Sequence, residues 1–178
     1  VNHYTKIRAI IKNGKPMAML YKTAEAKKYQ KQFKQYVSSE IKKQNWNLPV
    51  NKTQHFYIDC DYYFDRIDKD SSNYDKCLLD AITETQKIWL DDNVALVRVQ
   101  KVYYDKNNPR IELTIKPVDY IGIFNNVSHL ENFKNKCICC KRYRNGKCSI
   151  LIKAIEGRIQ QEIEDDICLK FENKKGEI

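Results

Sequence analysis

The sequence predicts an α+β protein: a small mixed sheet with helices packed on one face, followed by a cysteine-rich helical extension. Three observations carry that prediction. Residues 55–64 alternate between two sets of side chains, two segments repeat apolar residues at helical spacing, and five of the seven cysteines fall after residue 136.

The elements follow in order. Thr23 can cap a helix through about Gln44, because Ala26, Tyr29, Phe33, Tyr36, Val37 and Ile41 share one stripe while Lys27, Lys28, Lys31 and Lys34 fall largely elsewhere. In the alternating segment, Phe56, Ile58, Cys60, Tyr62 and Phe64 point one way and Tyr57, Asp59, Asp61 and Tyr63 the other, the period of a strand. Tyr74, Cys77, Leu78, Ala81 and Ile82 then mark a helix from about Asn73 to Ile88 that packs on the sheet. Residues 94–104 and 110–116 are strand-like, and the Asp105-Lys-Asn-Asn-Pro109 turn between them predicts a hairpin. Cys60 and Cys77 lie on apolar faces and are expected in the core.

Length and composition bound the answer. A chain of 178 residues, 42% hydrophobic and 31% charged, buries one ordinary core and carries a small appendage. The expected division is 1–120 for the core and 121–178 for the extension. No apolar run approaches the roughly 20 residues of a membrane span, and no charged leader precedes a short apolar stretch. The expectation is a soluble cytoplasmic protein with no membrane partner.

The net charge of +9 is unevenly distributed. Residues 1–54 carry 12 lysines and arginines against 2 acids, residues 55–120 carry 9 against 13, and residues 121–178 carry 11 against 8. Basic flanks would hold a polyanion by counterion release, while an acidic middle would gather a divalent cation. A lysine-rich surface without any nucleic acid explains the same totals, and charge alone leaves the two readings even.

The acidic middle contains the most informative motif. Asp70-Ser-Ser72-Asn73-Tyr-Asp75-Lys76, then Asp80-Ala81-Ile82, then Leu90-Asp91-Asp92-Asn93 set carboxylates and a lysine about one helix. Hydrolysing a nucleic-acid backbone needs hard oxygen ligands for a metal and a cation near the developing charge. Taken singly these residues have plain roles: Lys76 and Asp80 suit an i,i+4 pair, Asp91-Asp92 suits a turn, and Ser72 with Asp75 resembles a weak capping box.

Taken together, they resemble the RusA family of Holliday junction resolvases. That family's signature reads roughly Asp-x-Asp-Asn-x-x-Lys, then Asp-Ala-Leu, then a Leu-Asp-Asp or Asp-Asp turn, and Ser72 stands where it has its second aspartate. Val1-Asn2-His3-Tyr4 and the segment Glu25-Ala26-Lys27-Lys28-Tyr29 also resemble the family's Asn-x-Tyr segment and the helix after it, so the likeness runs from residue 1 to about 117. The family's first strand lies upstream of Asn-x-Tyr; either it precedes Val1 or the sheet lacks an edge.

The resemblance implies a bacterial or phage-encoded, Mg2+-dependent (or Mn2+-dependent) endonuclease acting on branched DNA as a homodimer. It implies Asp70 and Asp92 as metal ligands, Asp91 as neighbour or alternative, Lys76 as the residue that stabilises charge or positions phosphate, and Asn73 with Ser72 as orienting residues. Asp68 is the first candidate to replace the carboxylate missing at Ser72, and Asp75 the second. Lys27, Lys28, Lys31, Lys34 and Lys69 are the candidate DNA contacts of this part of the chain.

The extension holds a separate signal. Cys137 and Cys140 form a Cys-x2-Cys knuckle and Cys148 follows after seven residues, with His129 or Cys168 as a fourth zinc ligand and Cys139 as an alternative member. A reduced cluster without metal is the alternative. Lys141, Arg142 and Arg144 around Tyr143 suit phosphate contact with stacking. Ser149 can cap a last helix with Leu151, Ala154, Ile155, Ile159 and Ile163 on one face, and the tail from Phe171 onward is expected to fray.

Overall fold

The computed structural model describes residues 4–158 and 162–174 and divides the chain into two compact units. The first comprises Val1–Lys52 and Phe56–Lys116; the second comprises Thr53–His55 and Pro117–Ile178. Val1, Asn2, His3 and Ile159 lie outside the described residues.

The first unit opens with an element the sequence reading passed over. Strands β1 (Thr5–Lys12) and β2 (Lys15–Lys22) pair antiparallel around Asn13-Gly14. Both turn residues have positive φ, 51° and 71°, as a two-residue hairpin turn matched to strand twist requires. Ile7 opposes Leu20, Ala9 opposes Ala18 and Ile11 opposes Pro16, so one hairpin face is apolar beyond its Thr5–Lys22 pair. Ile7, Ile11 and Leu20 are nevertheless exposed.

Helix α1 (Ala24–Lys43) follows at once, and Thr23 caps it by accepting a hydrogen bond from the Ala26 N–H at 3.1 Å. Asn45, at a φ of 53°, ends it. Strand β3 (Phe56–Phe64) keeps strict alternation, with Phe56, Ile58, Cys60, Tyr62 and Phe64 buried and the residues between them half-buried. It is the central strand of a three-stranded sheet, with β4 (Ala95–Tyr104) parallel on one side and β5 (Arg110–Pro117) on the other.

Strands β4 and β5 therefore do not form the expected hairpin. The Asp105 N–H donates to the Phe64 carbonyl at 2.7 Å, which draws the turn across the end of β3 and sets β5 down on its far side. The register of β3 and β4 slips between Cys60 and Asp61, a bulge that leaves Gln100 as the extra residue.

Helix α2 (Ser72–Thr83) joins β3 to β4 as a crossover. It ends five residues short of Ile88, because Thr85 Oγ1 donates to the Ile82 carbonyl at 2.7 Å and Gln86 takes a φ of 53°. Its start also differs from the capping box expected at Ser72. Ser71 holds the N-cap position without a side-chain bond, and Asp70 Oδ1 accepts from the Ser72 N–H at 3.0 Å and from Ser72 Oγ at 2.9 Å.

Residues from both helices pack on the buried side of β3. Val37 of α1, Leu78 and Ile82 of α2, and Ile88, Trp89 and Val94 of the following turn complete that core. Cys60 and Cys77 are buried in the first unit as expected, and burial pushes the Cys60 thiol up to about 11. The opposite face of β3 is a polar ladder. Arg98 pairs with Asp59 through two bonds of 2.7 and 2.9 Å and lies 3.7 Å over the Tyr57 ring, while Arg110 lies 3.5 Å over Tyr63.

In the second unit, Asn126 caps helix α3 (Val127–Cys137) by accepting from the His129 N–H at 2.8 Å. The sequence reading passed over this helix, although Leu130, Phe133 and Cys137 repeat at helical spacing and are buried. Helix α4 (Ser149–Ile155) is shorter than its apolar stripe suggested, and Ile163 belongs to strand β6 (Ile163–Glu164), which pairs with β7 (Ile167–Cys168). Cys148, not Ser149, is the N-cap residue. Phe124, Leu130, Phe133, Cys137, Leu151 and Ala154 form the core.

Gly122 touches that core closely. A Cβ built on it would stand 1.9 Å from the Ala154 carbonyl oxygen, and its φ is +58°. The tail is pinned through Lys174, contrary to the fraying expected from Phe171. Arg142 bonds Glu172, and the Lys141 and Lys174 N–H groups donate to the Glu172 and Cys139 carbonyls at 2.7 and 2.8 Å.

Candidate functional site

The site is built on the outward stripe of α2. Ser72, Lys76, Asp80 and Glu84 follow one another at steps of four, so they line one face, while Cys77, Leu78, Ala81 and Ile82 turn to the core. Sheet packing fixes the inner face and leaves the outer one for charge.

The turn after α2 brings a second set of acids to the same place. Trp89 is fully buried and its Nε1 donates to Thr83 Oγ1 at 2.7 Å, which ties the segment Trp89–Asp92 back to the helix end. Asp91 accepts from the Asn93 N–H at 3.1 Å and caps the short 3-10 turn Asp92–Val94. Asp92, the first residue of that turn, faces α2.

Lys76 is the hub. Its Nζ lies 2.8 Å from Asp80 Oδ1 and 3.1 Å from Asp92 Oδ2. Those two carboxylates raise the Lys76 pKa far above the usual lysine range. Asp80 is held on its other side as well: Tyr4 Oη donates to Oδ2, and Lys22 Nζ stands 3.5 Å from the same atom. Burial works to raise the Asp80 pKa, but Lys76, Tyr4 and Lys22 outweigh it and keep the group below its ordinary value. Gln30, buried on α1, donates to Tyr4 Oη at 3.2 Å and accepts from Lys22 at 3.1 Å.

The other motif residues are placed as follows. Asp70 lies just ahead of α2 with its carboxylate turned onto Ser72. Asn73 sits in the first turn and lines a cavity of about 580 Å³ whose walls include Tyr29, Phe33, Tyr63 and Tyr74. Asp75 accepts from Tyr62 Oη at 2.5 Å, so it faces the sheet and not the Lys76 stripe. Asp68 pairs with Arg66 at 2.7 Å on the surface.

The basic residues fall into two groups. Lys27, Lys28, Lys31 and Lys34 are exposed on α1, and Lys31 and Lys34 line a shallow depression with Lys42 and Ser38. Lys69 is mostly covered and lies 3.9 Å from Asp65. In the second unit Lys141, Arg142 and Arg144 line another depression with Cys148, Ser149 and Glu172.

Four cysteines of the second unit gather at its core. Cys148 and Cys168 pack against the cluster that contains Cys137. Burial pushes the Cys137 thiol up to about 11, and the neighbouring Cys168, Cys148 and Cys140 sulfurs push the same way. His129 is engaged elsewhere: its Nδ1 accepts from the Asn125 N–H at 3.2 Å and its Nε2 meets Asp166 Oδ1 at 2.6 Å. As the side chains stand, no three His, Cys, Asp or Glu residues among those described are grouped to hold a metal ion.

Sequence reasoning assigned Asp80 no role beyond pairing with Lys76, and it passed over Lys22 and Gln30. Asp80 stands in the Asp80-Ala81-Ile82 part of the motif and could have been found there. Lys22, Gln30 and Glu84 carry no local signal, since their contacts join separate elements.

Two comparisons found nothing: no curated protein and no solved structure matches the chain. A third matched residues 4–116, most of the first unit and with it the Lys76, Asp80 and Asp92 cluster, to the family model of endodeoxyribonuclease RusA. That stretch covers more than half of the sequence, and the chain belongs to the RusA endodeoxyribonuclease family.

Proposed function

We propose that the chain is a divalent-metal-dependent, structure-selective endodeoxyribonuclease that resolves Holliday junctions or other branched DNA in recombination and repair, working as a homodimer. Family membership supports nuclease chemistry on DNA junctions. The observation that carries the assignment to this site is the convergence of Asp80 and Asp92 on one cationic nitrogen.

The donor chemistry fits Mg2+ or Mn2+. Mg2+ is usually held by one or two carboxylates, with water and phosphate oxygens completing its shell, and two carboxylates already meet here. Asp80 and Asp92, the pair that meets, would hold the ion; Asp70, the ligand the family signature implies, would join it by turning from Ser72, with Asp91 the alternative. A bound ion would polarise the scissile phosphate and acidify an attacking water.

The chain's own residues do the rest. Lys76 offsets charge developing on the attacked phosphate. Tyr4 and Lys22 fix the Asp80 carboxylate, and Asn73 orients a ligand. The exposed α1 lysines Lys27, Lys28, Lys31 and Lys34 hold the sugar-phosphate backbone, as do Lys141, Arg142 and Arg144 in the second unit, whereas Lys69, mostly covered beside Asp65, is a less accessible contact. These contacts set position and affinity more than sequence preference. A two-fold dimer gives paired incisions their logic, because equivalent sites meet symmetry-related strands.

A second reading, a protein that binds branched DNA without cutting it, is favoured by Ser72. That residue replaces a signature carboxylate, and its Oγ bonds the Asp70 carboxylate at 2.9 Å. A labelled synthetic four-way junction incubated with Mg2+ separates the two. Nicked product that disappears with Asp92→Asn supports the nuclease; a retarded, intact junction supports the binder. No binding at low salt would overturn both.

A further inference from the structure

We propose that Cys137, Cys140, Cys148 and Cys168 form a single tetrathiolate zinc centre that holds the second unit together, and that His129 and Cys139 stand outside it. The centre lies beyond the stretch matched to the nuclease family and does not depend on the nuclease reading.

The four cysteines come from four different pieces of backbone. Cys137 ends α3, Cys140 follows in a tight turn, Cys148 is the N-cap residue of α4, and Cys168 closes β7. The knuckle is preformed: the Cys140 N–H donates to the Cys137 carbonyl at 2.9 Å, and the Tyr143 N–H to the Cys140 carbonyl at 3.1 Å. A backbone donor also meets Cys140 Sγ, the Glu172 N–H at 3.5 Å. A donor aimed at a sulfur is what a metal-bound thiolate accepts from its surroundings. Two short turns deliver the other ligands. Arg144 and Lys147 bridge around Asn145-Gly146 just before Cys148, and β6 and β7 pair around Asp165-Asp166 just before Cys168.

Exclusion of His129 follows from its bonds. Both ring nitrogens are engaged, with Asn125 and Asp166. Cys139 is the exposed member of the run, and its carbonyl accepts from Lys174. That leaves four sulfurs, the number a closed structural zinc site takes, in a set whose softness selects Zn2+ or an iron–sulfur cluster.

The unit also needs such a staple. Among the described residues its core cluster has six buried members with seven half-buried hydrophobics against them, α4 spans seven residues, and β6 and β7 span two each. So small a core seldom suffices alone, and structural zinc supplies folding free energy directly. As they stand, the sulfurs do not make a closed shell. Closure on zinc brings the four sulfurs together, and each thiol gives its proton to solvent as it binds.

The test uses the full-length chain, purified without chelator, with metal measured by mass spectrometry. The expected result is one zinc per chain, lost in Cys140→Ser and Cys168→Ser and kept in His129→Ala and Cys139→Ser. Because the serine variants can fail to fold, Co2+ exchanged into the unaltered protein gives a second readout: intense sulfur-to-cobalt absorption with tetrahedral visible bands. Iron with acid-labile sulfide, zinc retained in Cys168→Ser, or zinc lost in His129→Ala would each overturn the proposal. None of these readouts depends on DNA cleavage, so failure of the nuclease assignment leaves them unaffected.

Discussion

Lys76 on α2 donates to Asp92 in the turn before β4 across 3.1 Å, and that bond joins the two halves of the candidate site. Asp80, four residues along the same helix, shares the ammonium at 2.8 Å. The lysine therefore holds two carboxylates together that would otherwise repel.

Lys76→Ala should reduce junction cleavage by about a hundredfold or more, the usual scale for losing one group that stabilises developing charge. The lysine is largely exposed, but its loss leaves Asp80 and Asp92 without their shared cation, so the melting temperature should fall only modestly. Comparing the nicking rate with the melting temperature checks both halves of the prediction.

Ser72→Asp should make the protein responsive to metal. The new carboxylate would stand beside Asp70, whose Oδ1 lies 2.9 Å from Ser72 Oγ, and like charges so close destabilise the fold until a cation joins them. The variant should melt lower than the parent without metal, and Mn2+ should raise its melting temperature by more than it raises the parent's. Equal shifts in the two proteins would count against Asp70 as a ligand.

Asp59 sets a pH dependence away from the site. Its carboxylate takes two bonds from Arg98 and one from Gln100, and the Arg98 pairing holds its pKa below the ordinary aspartate value. A depressed folded pKa gives stability that is present above the unfolded value of about 3.9 and is lost as pH falls through the folded one. Asp59→Asn should therefore start less stable at neutral pH and lose less between roughly pH 4 and pH 2. Melting curves across that range measure the difference.

Trp89 anchors the turn that carries Asp91 and Asp92. Trp89→Ala should cost about 3–5 kcal/mol, the range for truncating a buried aromatic. Trp89→Phe keeps most of the packing and loses the bond to Thr83, about 1 kcal/mol with more if the hydroxyl is left unsatisfied. Urea unfolding gives both values, and cleavage by the Phe variant reports whether the Asp92 position tolerates a looser anchor.

Much of this was legible from the sequence because it depends on spacing. The alternation of β3, the stripe of α1 and the Thr23 cap are local patterns, and each appears where the residues place it. Asn13-Gly14 was equally legible as a hairpin turn, although it was passed over. The side of β3 on which β5 docks was not legible, since alternation gives a strand's faces and says nothing of its neighbours. The end of α2 was hidden too, because Gln86, with no glycine nearby, takes the left-handed conformation. In the site, Lys76 and Asp80 follow from an i,i+4 rule, whereas Lys22 and Tyr4 reach Asp80 from 58 and 76 positions away.

The three residues Thr53–His55 bear on any attempt to trim this protein. They lie ahead of β3 in the chain yet belong with the second unit, where the His55 carbonyl accepts from the Val118 N–H at 3.0 Å and the His55 ring lies 5.9 Å from that of Tyr120. The polypeptide visits the C-terminal unit before it builds the sheet and returns afterwards. A stop codon after Lys116, which a linear family boundary would recommend, removes what His55 binds just ahead of the central strand. A gene fragment meant to express the nuclease half by itself should end beyond Tyr120.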